Sequence, residues 1–432
     1  MYVFAPFVMA LSIVCEAQSA PPSVPAPAVM PMQVDEAVAA ALDANPEIRT
    51  ATRRLSLAQM KIATARSLDD PMFQVRDWGT PLRRPWDLNQ AQTMFMVQQT
   101  FVSKQKRDQR AKVSGDDVEV ASSDLETLRQ QIQVDVRKAC TDMKRNADEM
   151  KLHDRQAALL KEALAVALAQ YTTGKLPQAD VLRAQMALTR LTEHLIELEE
   201  ERDTARAQLN SLMGRHPDEP LEIAGAYASP ASLPPIEDLQ RMAIEHRPEL
   251  AALRKQIARS RDESQSTRMA MKPDFTVGLG YMLMPSGSSA RNAYMAEFSM
   301  NLPQLNRLRH ESEGKQADAA TAVTEAELEA RASAVFLEIR QAQIAILAAQ
   351  RRVKVYRDTL LPQAEAAFKA STAAYENNRA EFPTLIDSQN LLLDIQTAYY
   401  KASSATDAGV AELERAIGTP LPTKSGTEGT SK

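Results

Sequence analysis

The feature that most constrains this chain is an internal duplication. Val34-Asp35-Glu36 is echoed by Ile236-Glu237-Asp238, and Asn45-Pro46-Glu47-Ile48 by Arg247-Pro248-Glu249-Leu250. Asp70-Pro71-Met72-Phe73 is matched by Lys272-Pro273-Asp274-Phe275. Tyr171 faces Tyr375, Gln185 faces Gln389 and Gly214 faces Gly418, so every pair is offset by 202 to 204 residues. So constant an offset defines two nearly gap-free halves, 34–214 and 236–418, with 215–235 as a connector between them and 419–432 as a tail. The period is far too long for a short-repeat solenoid, so each half must be a multi-element unit.

Within each half the same order is predicted: helix, strand, loop, strand, very long helix, turn, helix. Alternation carries the strands. In 275–284, Phe275, Val277, Leu279, Tyr281 and Leu283 share one face, with Thr276, Gly278 and Gly280 on the other. In 293–302, Tyr294, Ala296, Phe298, Met300 and Leu302 oppose Glu297, Ser299 and Asn301. The β-hairpins are thus placed at 72–101 and 275–302, joined by polar, turn-rich loops at 80–90 and 285–292. From Val102 to Thr173 there is no proline, which predicts a helix of ~105 Å at ~1.5 Å per residue. Helices predicted at 178–214 and 236–270 together match its length. So do 381–418 and 34–68 against the 304–377 helix, suggesting one long rod beside two shorter ones. Aromatics at 5% and only 13 glycines fit long helices better than a large compact enzyme core.

Residues 3–14 form an apolar run of signal-peptide length followed by small residues, so 1–20 is predicted to be a signal peptide and 21–33 a Pro-rich linker. Cys15 is an alternative lipidation site, although Val14 and Ser12 depart from the expected lipoprotein pattern. Cys140 is then alone, which excludes a disulfide framework and a cysteine zinc site. The five histidines show no metal-ligand spacing. No Ser/His/Asp order or phosphate loop appears, so neither an enzyme nor a cofactor is expected. A net charge of −5 with both signs interspersed gives no footprint for a nucleic acid. Mean hydropathy of −0.34 excludes a bundle of transmembrane helices. It does not exclude strands. About ten residues tilted ~45° span an outer membrane. Four strands cannot close a barrel, and an open edge in lipid leaves polar groups unpaired at several kcal/mol each. If these strands lie in a membrane, several copies must share one barrel. A solvated coiled-coil scaffold would explain the helices, but neither the leader nor the hairpins.

The chain resembles the outer-membrane efflux protein family (TolC type) over nearly all of 34–418. The resemblance is carried by Val34-Asp35-Glu36-Ala37-Val38 with Asn45-Pro46-Glu47, and by Tyr171-Thr172-Thr173-Gly174-Lys175 with Asp180-Val181-Leu182-Arg183-Ala184-Gln185. Met213-Gly214 and Ala373-Ala374-Tyr375 with Leu385-Ile386-Asp387-Ser388-Gln389 complete it. It implies a mainly α fold, a long-helix α-barrel with four strands per chain contributing to a trimeric 12-stranded β-barrel. It also implies a passive exit duct in the outer membrane that reaches into the periplasm. The partners implied are two further copies of the chain, outer-membrane lipid, a periplasmic adaptor and an inner-membrane RND-type pump. The strand and loop style and 19 methionines point to the heavy-metal branch, since thioethers suit soft cations. Drug or small-organic efflux and type I protein secretion are the alternatives.

The same resemblance places function at two helical tips, 171–181 and 375–387. Gly174, Lys175, Asp180 and, at the second tip, Asn378 are the implied adaptor-docking residues. Gly174 and Asn378 also suit the left-handed conformation that ends a helix. Asp387, Thr384, Tyr375 and Asp180 are the implied gate. Thr384 stands where a second acid is expected and Ala380 where a latching arginine is expected. Three Asp387 carboxylates ~7 Å apart would repel by ~2 kcal/mol per pair at a dielectric of ~20.

Overall fold

The computed structural model describes residues 31–79, 92–225, 232–284, 292–377 and 379–421. The predicted signal peptide, most of the linker, both hairpin loops, Asn378 and most of the C-terminal tail lie outside the described residues.

Each half begins with a helix pair where the sequence predicts a single helix. In the first half α1 (Val34–Ala44) stops at Asn45, and α2 (Pro46–Arg66) starts one residue later. In the second, α5 (Ile236–His246) and α6 (Pro248–Met269) divide at Arg247 in the same way. Proline is the cause. It drives the preceding residue out of the helical region, and Asn45 and Arg247 both sit in extended backbone, with ψ of 129° and 119°. Pro46 and Pro248 then occupy the first turn, where their missing N–H would have had no partner. Asn45 also caps α2, its Oδ1 accepting from the N–H groups of Glu47 and Ile48.

Two glycines seat these breaks against the ends of later helices. Gly214, with φ of 67°, follows α4 (Gln178–Leu212), and a Cβ there would lie 2.6 Å from the Ala44 carbonyl oxygen. Gly418, with φ of 78°, follows α9 (Phe382–Ile417), and a Cβ would lie 2.6 Å from the His246 carbonyl oxygen. Both positions need the left-handed backbone and the missing side chain together.

The strands are β2 (Met72–Trp78), β3 (Gln92–Phe101), β5 (Phe275–Leu283) and β6 (Asn292–Met300). They form one antiparallel sheet in the order β2-β3-β5-β6. The register sorts side chains onto two faces. Phe73 and Val75, Val97 and Phe95, Leu279 and Tyr281, and Phe298 and Tyr294 share one face across the four strands. That face is bare: Phe73 is 66% exposed, Leu279 67% and Tyr294 90%. The opposite face carries Gln98, Gly278 and Glu297. The outer edges of β2 and β6 have no partner strand among the described residues. A second, parallel pair, β1 (Met32–Gln33) with β4 (Ile223–Ala224), joins the predicted linker to the predicted connector. Two residues per strand are too few for alternation to reveal.

The first rod is α3 (Lys104–Thr172), an unbroken helix of 69 residues. The second runs as one helical span from Pro303 to Glu376, with two local departures from α geometry. A 3₁₀ turn (Pro303–Asn306) leads into α7 (Arg307–Val355). A π turn (Tyr356–Leu360) then separates α7 from α8 (Leu361–Glu376). Pro362 explains the π turn, because it has no N–H to offer four residues back and its ring crowds that carbonyl. Toward the sheet, α3 packs on α2 and α6; toward the tips it packs on α4 and α9. Thus α2 lies on the first rod, not beside the second. Three apolar clusters hold this body together. One surrounds Leu209 and Val136, one surrounds Ile339 and Leu413, and one lies at the tips. At the junction with the sheet, buried Lys106 pairs with Asp274 at 2.8 Å and donates to the Lys272 carbonyl.

Candidate functional site: the paired helical tips

The two tips of one chain meet. Leu160, Ala167, Val181 and Ala184 from α3 and α4 pack with Phe382 and Ile386 from α9, and Tyr375 and Leu176 close the edge of the cluster. The small residues at 167 and 184 are fully buried, so the helix backbones approach closely there. Phe382, 1% exposed, is the central aromatic, and its ring meets Tyr375 edge-on with centroids 5.6 Å apart.

At the first tip α3 ends in a Schellman arrangement. Gly174 has φ of 71°, its N–H donates to the Tyr171 carbonyl, and the Lys175 N–H donates to the Gln170 carbonyl. Space is open where a Gly174 side chain would go, so backbone conformation alone selects glycine here. Lys175 is exposed at the apex. Asp180 lies in the first turn of α4, 3.6 Å from Arg183 and largely buried. At the second tip the Arg379 N–H reaches the Ala374 carbonyl at 2.7 Å, which spans the same number of residues as the bond from Lys175 to Gln170. Asn378 itself lies outside the described residues.

The predicted gate residues are distributed as follows. The Tyr375 hydroxyl donates to Gln170 Oε1 at 3.1 Å, so within the chain it is committed to Gln170, while Asp180 turns to Arg183. Burial pushes the Tyr375 phenol above its ordinary value, the Gln170 bond works against this, and the charge of nearby Asp180 adds to it. Thr384 and Asp387 are both exposed, one helical turn apart on α9. Asp387 lines a groove of about 930 Å³ between α4 and α9, floored by α3. Arg183, Arg190, His194 and Asp394 line it too, so the charge around Asp387 in one chain is mixed rather than purely acidic.

Several contributors were not foreseen: Gln170, Phe382, the buried Gln156–Gln389 bond of 2.9 Å and the His153–His194 pair. Gln389 was visible as a duplicated residue and within the family resemblance, but not as a partner of Gln156. The two histidine rings are 6.0 Å apart, and His153 is buried. Its pKa is lowered by burial first, then by the charges of His194 and Lys401. Spacing cannot reveal this pair, because it joins α3 to α4 across 41 residues of chain. Among the described residues no group of three or more His, Cys, Asp or Glu side chains is placed to hold a metal. Buried Cys140, its thiol pushed up to about 12 by burial, is chemically quiet.

Known proteins fit this geometry. The outer membrane efflux protein family matches residues 37–215 and again 239–419. The chain belongs to that family. It is an outer-membrane efflux channel whose helical body extends into the periplasm, and its relatives are channels rather than enzymes. Among curated relatives it is 23% identical over 399 residues to the cobalt-zinc-cadmium resistance protein CzcC of Cupriavidus metallidurans, covering 92% of each chain. Among solved structures, the outer-membrane channel OprN superposes with a TM-score of 0.74 at 18% identity, over 89% of each chain. The channel CusC gives 0.73 at 12% identity, over 90% of this chain and 93% of that one. VceC from Vibrio cholerae gives 0.72 at 17% identity, over 90% and 96%. These solved channels share this fold.

Proposed function

We propose that three copies of this chain form the exit duct of a tripartite heavy-metal efflux system. The observation that carries this reading is the sheet. One face is a bare apolar surface, and neither edge has a partner strand among the described residues. In lipid those edges must be satisfied, and β6 of one copy runs in the right sense to pair with β2 of the next. The rods support the same assembly. Leu337, Ile344 and Val355 on α7 are 57%, 52% and 52% exposed, and their spacing puts them on one stripe available to a neighbouring copy. The tip at 171–181 is then the dock for a periplasmic adaptor, through Gly174, Lys175 and Asp180, with Asn378 at the companion tip. The gate is the apposition of the two tips. Tyr375, Phe382 and Gln170 hold it within a chain, and Asp387 and Thr384 face the passage. A single hydroxyl–amide bond contributes only ~0.5–1.5 kcal/mol, so the closed form is lightly held and an adaptor can open it. Metal cargo is supported by the likeness to the cobalt-zinc-cadmium resistance protein.

The test uses Gly174→Pro. Proline cannot adopt φ of 71° and removes the N–H that bonds Tyr171. The expected result is a trimer of normal mass in detergent, inserted in the outer membrane, with metal resistance lost in cells. Full resistance with this variant removes the tip from the mechanism, and a stable monomer from the wild type ends the duct reading.

A further inference from the structure

Between buried Met143 and Leu160, α3 turns a polar face inward. Asn146, Glu149, His153 and Gln156 recur at three- and four-residue spacing, which puts them on one helix face, and all four are buried. Polar groups are costly there unless paired. Glu149 meets Arg145 at 3.2 Å, and Gln156 accepts from Gln389 at 2.9 Å. His153 is different. It is 5% exposed, and its Nδ1 is buried with no hydrogen-bond partner among the described residues. It nevertheless lines the groove of about 930 Å³ between α4 and α9 in which Asp387 also lies. His194 enters the same groove from α4 with 57% of its side chain exposed. The two ring centroids are 6.0 Å apart and the ring planes are inclined by 55°. The His194 Nδ1 lies 3.1 Å from a Glu197 carboxylate oxygen. A carboxylate only accepts, so Nδ1 carries the proton and Nε2 keeps a free lone pair.

Two imidazoles that share one metal ion have centroids roughly 5–6 Å apart, given metal–nitrogen bonds of ~2.1 Å, so these rings already stand at bridging distance. The terminal torsion of histidine is broad, so exposed His194 can swing Nε2 toward His153 without backbone movement, and exposed Glu197 can follow it. A carboxylate on the far ring nitrogen is the arrangement that orients a ligating histidine and raises its basicity. Imidazole suits borderline divalent cations such as Zn(II) and Co(II). Burial, and then the charges of His194 and Lys401, lower the His153 pKa, so its ring stays neutral and able to ligate at neutral pH. If position 153 served only for packing, an apolar residue such as the leucine at 160 would fill it without leaving a buried nitrogen unpaired.

We propose that His153 and His194 form a transit site for borderline divalent cations, Zn(II) or Co(II), in the groove above the gate. This rests on the duct reading above and names its cargo class. His194 lies 14 residues beyond Asp180 on α4, which is ~20 Å along the rod from the tips. Two protein ligands leave the remaining positions to water, since among the described residues no group of three or more ligating side chains is placed to hold a metal. Lys401 reaches the same groove from α9, and its charge works against a bound cation. A site so lightly held suits conduction, because an ion must bind well enough to enter and loosely enough to leave.

The experiment titrates cobalt chloride into the purified full-length protein in detergent, without a histidine tag, and reads visible and X-ray absorption. Wild type should bind about one more Co(II) per chain than His194→Ala, with imidazole scattering that the variant lacks, and zinc sulfate should displace it. His194 is exposed, so its removal should leave assembly intact, and heat-modifiable migration of the trimer verifies this. Glu197→Gln should weaken binding about tenfold by loosening the orienting bond. Lys401→Gln should strengthen it several-fold by removing a repelling charge. A merely packed histidine pair would give neither change. His310→Ala, at a histidine bonded to Glu313 near the start of α7, should bind as wild type does. In cells, His194→Ala should lower zinc resistance with the amount of trimer unchanged. Equal cobalt binding by wild type and His194→Ala, or unchanged zinc resistance in that variant, overturns the transit site. Cells that resist zinc while the purified wild type binds no cobalt defeat the site alone. Cobalt binding that His194→Ala abolishes, in a protein that gives its cells no metal resistance, defeats the duct reading and leaves the ion site standing, because both ligands come from one chain.

Discussion

Position 45 and its counterpart 247 show how a duplicated residue changes chemistry while keeping its task. Asn45 Nδ2 donates to the Leu212 carbonyl at 2.8 Å, and Arg247 Nη1 donates to the Ala416 carbonyl at 3.1 Å. Each therefore ties a proline break to the last turn of a later helix. Arg247 is 2% exposed and needs anionic partners, which Glu249 and Glu338 supply at 3.0 and 2.8 Å. The glycine beside each tie has no alternative. Gly418→Ala should destabilise the protein by about 2–4 kcal/mol, from left-handed strain plus a clash with His246 and Arg247. Denaturant melts of the variant measure this, and a loss below about 0.5 kcal/mol would contradict the packing. A second residue-scale prediction concerns pH. Burial, reinforced by the neighbouring Asp262, raises the Asp116 carboxyl to about 6. Burial acts on Asp262 too, but Lys112 at 2.7 Å and bonds to its carboxylate hold Asp262 below its ordinary value. Because the folded Asp116 binds its proton more tightly than the unfolded one, its stabilising contribution is complete below the ordinary value of 3.8. That contribution is lost as pH rises through about 6. Asp116→Asn keeps a neutral side chain. It should melt above wild type at neutral pH and level with it near the ordinary carboxylate range. An unchanged difference across that window would show that the carboxyl does not share a proton.

The elements were legible where one rule governed the local chain. The unbroken α3 followed from the absence of proline, and the β5 and β6 faces followed from strict alternation. What the sequence hid was the outcome of competition. Pro46 and Pro248 were read through because the apolar periodicity continues across them, yet the steric demand on Asn45 and Arg247 overrides periodicity. The tip glycine Gly174 was legible, since only one conformation closes that turn. The partners of Tyr375 were not, because Gln170 lies 205 residues away in sequence. Pro362 makes the clearest element-scale prediction. It sits just below the π turn at Tyr356–Leu360, in a rod whose duplicate α3 has no such interruption. Pro362→Ala restores the missing N–H and allows continuous α-helix, which should raise stability by about 1–3 kcal/mol. If the π turn is also the bend through which the second tip swings, the same change should lower the frequency of opening in planar bilayers. An unaltered melting temperature would show that the π turn has another cause.

At the scale of the whole molecule, the sheet carries the proposal of a barrel shared between copies, and a charge on its bare face tests it. Leu279 is 67% exposed at the centre of β5, with Val97 and Ala296 opposite it on the two flanking strands. In water an arginine there would be nearly neutral, because surface substitutions away from special features usually stay within about 0.5 kcal/mol. In a bilayer the centre of a nine-residue strand lies near the midplane, where an arginine facing lipid costs about 2–4 kcal/mol. Thr276 lies near the end of the same strand on the other face, opposite Ser299 and bonded to Thr100, so an arginine there would point into the lumen. Leu279→Arg should therefore reduce assembled trimer in the outer membrane sharply, while Thr276→Arg should assemble and change only ion selectivity. The helical body supplies the control. Val323 on α7 is 57% exposed and far from the sheet in sequence and along the rod, so Val323→Arg should not track membrane depth. Quantitative recovery of heat-modifiable trimer from outer-membrane fractions measures all three. Equal recovery of Leu279→Arg and Thr276→Arg would mean that both faces meet water, and the barrel would have to be abandoned even though the fold of the rods stands.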